Sequence, residues 1–145
     1  MDDKIMPSAP PPEWTAVVDP CEGDCPSREL LDLIGDRWSL LVLLVVGQGT
    51  HRNGALKRRI KGISQKMLTQ TLRALEMNGL IQRHDFATIP PHVEYTLTPL
   101  GISLQHALTP LFDWVEGHFP EVQQARGDFL AAQSQGAVSE RIGQP

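Results

Sequence analysis

The sequence predicts a mainly α chain carrying one small β-hairpin, an α+β fold with a single core. Apolar residues recur at helical spacing through most of residues 26–119. One stretch, Val93–Thr98, instead alternates apolar and polar side chains with a period of two. The 145 residues are 41% hydrophobic, enough for one packed core plus tails. The longest apolar run, Leu40–Val46, falls far short of the ~20 residues a spanning helix needs. Met1-Asp2-Asp3-Lys4 lacks the basic and apolar regions of a secretory signal, and Cys21 and Cys25 cannot build a disulfide framework. A cytoplasmic protein with no membrane partner is expected.

Residues 1–20 are polar and proline-rich and read as a flexible arm. The domain proper is expected over 21–120, with a partly disordered tail over 121–145. Pro26 suits the first position of a helix through Ile34, with Leu30, Leu31 and Ile34 on one face. Asp36 is placed to cap a second helix, Arg37–Val46, apolar on nearly every side and therefore central to the core. Gly47-Gln48-Gly49 turns the chain, and Asn53 is the expected cap of a third helix through Ile60. After the turn Gly62-Ile63, Ser64 caps a fourth helix that stops at Asn78-Gly79.

Leu80–Phe86 and Val93–Thr98 form a hairpin whose tip holds Pro90 and Pro91. Thr98-Pro99 opens a last helix, expected to stop at Phe119 before Pro120, with a short helix around Asp128–Gln133 beyond it. Leu104, Leu108, Leu111, Val115 and Phe119 make a stripe along this helix with more apolar surface than so small a core needs. Core packing is the favoured role of Trp38, Trp114, Phe112 and Tyr95, with the lining of a ligand pocket between the reading domain and the dimer helices as the alternative.

The net charge of −4 taken alone argues against a nucleic-acid partner, but its distribution reverses that reading. Residues 51–84 carry eight basic side chains against one acid, Glu76, a net of +7. The flanks, residues 1–50 and 85–145, carry −6 and −5. On the fourth helix Leu68, Leu72 and Leu75 share one side, while Lys66, Thr69, Gln70 and Arg73 share the opposite one, without an acid. Two helices joined by a tight turn and followed by a hairpin make a winged helix-turn-helix.

A reading helix needs an apolar back and an exposed row of donors, because the major groove, about 12 Å wide, admits one helix. Ser64, Gln65, Lys66, Thr69, Gln70 and Arg73 are the candidate contacts to base edges and phosphates. Arg52, Lys57, Arg58 and Lys61 are candidates for the DNA backbone. His92, with His84 and Thr88, is the candidate contact from the wing, residues 80–98, to flanking DNA.

Cys25-Pro26, Gly35-Asp36-Arg37-Trp38, Gly62 through Gln70, Asn78-Gly79-Leu80, Pro90-Pro91 and Val93-Glu94-Tyr95 together resemble the HxlR-type transcriptional regulators, winged-helix proteins related to the MarR group. The resemblance spans Cys25 to Phe119. It implies a homodimer joined through helices near both ends on a palindromic operator in double-stranded DNA, and a repressor or a dual regulator is expected. Where the family has an aromatic residue, an acid and a proline, this chain has Asn53, Ala55 and Lys61. Some members sense oxidants or electrophiles through a cysteine at the position of Cys25. A helix N-terminus and Arg28 favour its thiolate, while Glu22, Asp24 and Glu29 oppose it.

The five histidines show no metal-ligand spacing, and no phosphate loop or nucleophile elbow is present, so neither metal, cofactor nor enzymatic activity is expected. The competing reading is a small-molecule or redox sensor acting through a protein partner, with DNA binding weak or lost. An acid-free outer face on the fourth helix separates the two, since a protein-binding helix has no need of it.

Overall fold

The structure, a computed structural model, describes residues 26–49 and 51–142; Cys21 and Cys25, with the arm, lie outside them. The elements in chain order are α1 (Pro26–Gly35), α2 (Arg37–Gly47), α3 (Asn53–Arg59), α4 (Gln65–Met77), β1 (Ile81–Asp85), β2 (Val93–Leu97) and α5 (Pro99–Ile142). This is the expected mostly helical fold with a two-stranded antiparallel hairpin. No helix among the described residues is long and apolar enough to cross a membrane.

Asp36 caps α2 as its position predicts: its carboxylate accepts from the Ser39 backbone N–H at 3.0 Å and from the Ser39 hydroxyl at 3.3 Å. Behind that cap, Val42, Leu43, Val45 and Val46 are buried, so α2 is the central rod against which the other elements pack. Leu56 and Ile60 come from α3 and its end, Ile63 from the turn, and Leu68, Leu72 and Leu75 from α4. Leu80 and Ile81 close the core below the hairpin. Gly62 sits at φ +90°, a left-handed conformation that lets the chain reverse between α3 and α4 while Ile63 turns inward. Gly101 is required for a different reason. A Cβ there would run into the Leu80 carbonyl oxygen, so glycine lets α5 lie directly on the strand entry.

Three local expectations are corrected. Asn53 is not the cap of α3: Arg52 occupies that position and makes no side-chain capping bond, while Asn53 turns toward α4. The alternation in β2 does not divide it into a wet and a dry face, because all five residues are half-buried. The backbone of residues 51–52 runs beside β2, with Arg52 bridged to Glu94 and the Tyr95 N–H donating to the His51 carbonyl at 2.8 Å. The strand is thus covered on a side that the hairpin sequence cannot reveal.

The third correction is the largest. α5 does not stop at Phe119, and residues 121–142 are neither a disordered tail nor a separate short helix. The helix passes through Pro110 and Pro120 and continues to Ile142. Proline removes one backbone donor and crowds the carbonyl four residues earlier, which bends a helix but need not end it when helix formers follow. Gln123, Gln124, Ala125 and Arg126 do so here.

Candidate nucleic-acid interface

The turn and the apolar back of α4 fix which of its side chains face outward. Leu68, Thr71, Leu72 and Leu75 are buried beneath it, while Gln65, Lys66, Thr69, Gln70 and Arg73 are exposed. Ser64 is the cap, its hydroxyl oxygen accepting from the Met67 N–H at 3.1 Å. The sequence-predicted row therefore exists as one surface, but its members are not alike. Gln65 Nε2 donates to Asn53 Oδ1 at 3.0 Å and to Thr69 Oγ1 at 3.2 Å, and Thr69 Oγ1 donates to the Gln65 carbonyl at 2.9 Å. These bonds brace the start of α4 against α3. The side chains of Lys66, Gln70 and Arg73 make no hydrogen bond or ion pair with any described residue. Their donors are available, and no ion pair with a described residue neutralises the two cations.

The second helix of the pair supplies a basic rim. Lys57, Arg58 and Arg59 lie in the last turn of α3, where cations also complement the helix dipole, and Lys61 follows in the turn. Arg59 Nη2 donates to Gln48 Oε1 at 2.6 Å, tying α3 to the end of α2. Lys57, Arg58 and Lys61 are exposed and form no ion pair with a described residue.

At the wing the structure alters the sequence assignment. His84 is not at the tip: it is half-buried within β1, with its Nε2 2.8 Å from Thr96 Oγ1. Thr88 donates its hydroxyl to the Pro90 carbonyl at 2.9 Å, inside the loop itself. His92 stands at the base of the loop with its ring edge-on to Phe86 at 4.7 Å between centroids. Arg52 and His92, forty residues apart, are brought together. Arg52 Nη2 donates to His92 Nδ1 at 2.7 Å, and His92 Nε2 donates to Glu94 Oε1 at 2.8 Å, the neutral tautomer satisfying both. Arg52 Nε also lies 3.8 Å from Glu94 Oε1. Arg52 and His92 thus form a clasp between α3 and the wing, and Arg52 brings less free positive charge than Lys57 or Arg58.

The hydrogen bond from His92, aided by the nearby Arg52 and His51 charges, holds the Glu94 carboxyl below its ordinary pKa against a smaller opposing effect of burial. A carboxyl lowered on folding adds stability above its unfolded pKa and loses it as pH falls through the folded one. Thermal melts of Glu94→Gln against the parent chain should therefore differ near neutral pH and converge on acidification. A gap that widened in acid would contradict the clasp.

Sequence reasoning missed two residues here. Asn53 positions Gln65, and Glu94 offsets Arg52. Neither role has a local signal: Asn53 acts on Gln65 twelve residues away, and Glu94, besides its neighbour His92, acts on Arg52 across the fold. Of the four aromatic residues, Trp38, Tyr95 and Phe112 pack against the core, the role the sequence favours for them, while Trp114 is exposed. A cavity of about 430 Å³ lies between α1, the end of α4 and the start of α5, lined by Leu30, Ile34, Leu80, Leu100, Leu104 and Ala107 among others.

With this geometry in place, the chain can be set beside known proteins. Residues 33–123 match the HxlR-like helix-turn-helix family model. The chain belongs to that family. An uncharacterized HTH-type transcriptional regulator of Escherichia coli (strain K12), YtfH, is 46% identical over 107 residues, spanning 74% of this chain and 85% of the relative. The solved structure of YtfH from Salmonella typhimurium superposes with a TM-score of 0.68 at 44% identity, covering 72% of this chain and 93% of that one. Diamide-treated YodB from Bacillus subtilis superposes at 0.56 with 34% identity, covering 64% and 93%. The HxlR-like protein described here is thus a transcriptional regulator of the helix-turn-helix type with a winged-helix fold.

Proposed function

We propose that this HxlR-like chain is a homodimeric, sequence-specific repressor that binds a palindromic operator in double-stranded DNA. The observation that carries the reading is the outer face of α4, where Lys66, Gln70 and Arg73 are exposed and uncommitted above a fully packed apolar back. Glutamine matches the donor–acceptor edge of adenine, and arginine or lysine that of guanine. Gln65 and Thr69 set the helix against α3 and contribute at its first turn, next to Ser64. Lys57, Arg58 and Lys61 hold phosphates, and Arg52 and His92 support the wing where it meets flanking DNA.

The dimer reading rests on the apolar side chains that α1 and α5 leave exposed. Leu30 and Leu31 on α1, and Leu100, Leu111, Val115 and Phe119 on α5, are each 42–57% accessible. A second copy covering them would set two α4 helices about 34 Å apart, in successive major grooves. The acidic flanks then lie away from the duplex and limit non-specific binding. Binding by counterion release predicts that affinity falls steeply with salt, and Lys57→Ala should reduce the log–log slope by about one. An affinity indifferent to both salt and sequence would exclude the reading and leave the protein-partner alternative.

A thiol input through Cys25 belongs to the same proposal. Its support is the matching position in the sequence and the diamide-treated form in which the YodB relative was solved. The chain would act without a cofactor and without catalysis, in the cytoplasm. Cys25→Ser should abolish any loss of operator binding caused by diamide; an unchanged response would remove Cys25 from the mechanism.

A further inference from the structure

α5 continues well beyond residue 123, where the family match ends. At about 1.5 Å per residue its 44 residues extend roughly 66 Å. Only its beginning joins the body: Leu104, Leu108 and Phe112 pack on the core, whereas every residue from Gln123 to Ala137 is exposed. The residues of that stretch favour helix locally, but Gly127 and Gly136 lie within it and a single exposed helix of about 15 residues is marginal in water without a packing partner. It also holds Phe129 and Leu130 at 63% and 61% exposure.

The sequence of α5 shows what would cover it. Leu104, Leu108, Leu111, Val115, His118, Val122, Ala125, Phe129 and Ala132 follow one another at alternating spacings of four and three, and only His118 is polar. This is the a/d repeat of a coiled coil, continuous from the core-packed start of the helix into its exposed end. Ala125 and Ala132 are small enough for close approach, while Gln123, Gln124 and Ser134 occupy the outer positions. Glu121 and Arg126 flank the stripe, and neither forms an ion pair with a described residue of its own chain.

In a parallel pair of identical helices, the residue before one core position meets the residue five places on in the partner helix. Glu121 of each chain then faces Arg126 of the other, giving two symmetric ion pairs. An antiparallel pair would oppose Glu121 to Asp128 and Arg126 to itself. We infer that residues 121–137 of α5 pair with the same segment of a second copy as a short parallel coiled coil that tightens the dimer. The inference rests on the homodimer proposed above but needs no DNA, so its failure and that of the operator reading are separable.

Sedimentation equilibrium of the full-length chain without DNA tests it. Phe129→Gln should weaken dimerisation at least tenfold, and Glu121→Arg should weaken it by placing like charges together. Glu121→Arg with Arg126→Glu should restore it. Both sites are exposed, so the monomer fold should persist, which near-ultraviolet circular dichroism checks. A dimer constant unchanged by Phe129→Gln, a double variant no tighter than Glu121→Arg, or a parent chain monomeric throughout would each overturn the inference. In the first two cases, retained operator binding would leave the DNA reading intact.

Discussion

Leu68→Ala is expected to cost about 2–5 kcal/mol of folding stability, the range for truncating a fully buried leucine. Leu68 is completely inaccessible and sits in the first half of α4, among core residues contributed by α2, α3 and the turn. Removing its branched end leaves a cavity that this short helix cannot close without shifting. Because a small domain has only 5–15 kcal/mol in total, the variant should unfold at clearly lower urea concentration than the parent. It should also lose operator binding as the temperature rises, through unfolding rather than through a lost contact. A denaturation midpoint unchanged within error would mean that α4 is not anchored by its apolar back, and the geometry of its outer face would lose its basis.

Arg73→Ala makes the complementary prediction: near-native stability with operator affinity reduced by about 1–3 kcal/mol, or roughly 5- to 150-fold, if the guanidinium reads a base. Arg73 is exposed and has no partner to lose within the described chain, so stability has no route to change much. The two variants therefore separate the halves of α4. One removes what holds the helix, the other what it presents. Base reading further requires that Arg73→Ala relax sequence preference at one position of each half-site. A uniform loss across all sequences, accompanied by a reduced salt slope, would instead make Arg73 a phosphate contact. Equal affinity for every sequence by parent and variant would remove it from the interface.

The parts of the molecule legible in sequence are those specified locally. The cap Ser64, the turn Gly62-Ile63, and Leu68, Leu72 and Leu75 at helical spacing define α4 within fifteen residues, and the structure reproduces each. Asp36 and α2 are legible for the same reason. What sequence could not supply involves distant partners. Asn53 carries a residue type that caps helices well, yet in the fold its amide oxygen accepts from Gln65 across the turn. Glu94 reads as the solvent side of an alternating strand until the backbone of residues 51–52 is laid beside it.

At the end of α5 a local rule points the wrong way: Pro120 reads as a terminator, although the following residues favour helix and the apolar spacing continues past it to Phe129. The charge profile survived translation into three dimensions with one adjustment. The basic segment does emerge on α3 and α4, but Arg52 and Arg83 have Glu94 and Asp85 beside them. Among the described residues, the basic segment's cations without an ion pair are Lys57, Arg58, Arg59, Lys61, Lys66 and Arg73, of which Arg59 is tied to Gln48.

Selection of bound sequences from a random pool of duplex DNA tests the central claim most directly. A symmetric dimer reading the major groove with two copies of α4 predicts an enriched inverted repeat whose half-sites are centred about 10 base pairs apart, or a multiple of that turn. Repeating the selection with Gln70→Ala and Arg73→Ala should erase preference within the half-sites while keeping their spacing. Recovery of no enriched sequence, or of a single unrepeated site unaffected by those substitutions, would contradict the account.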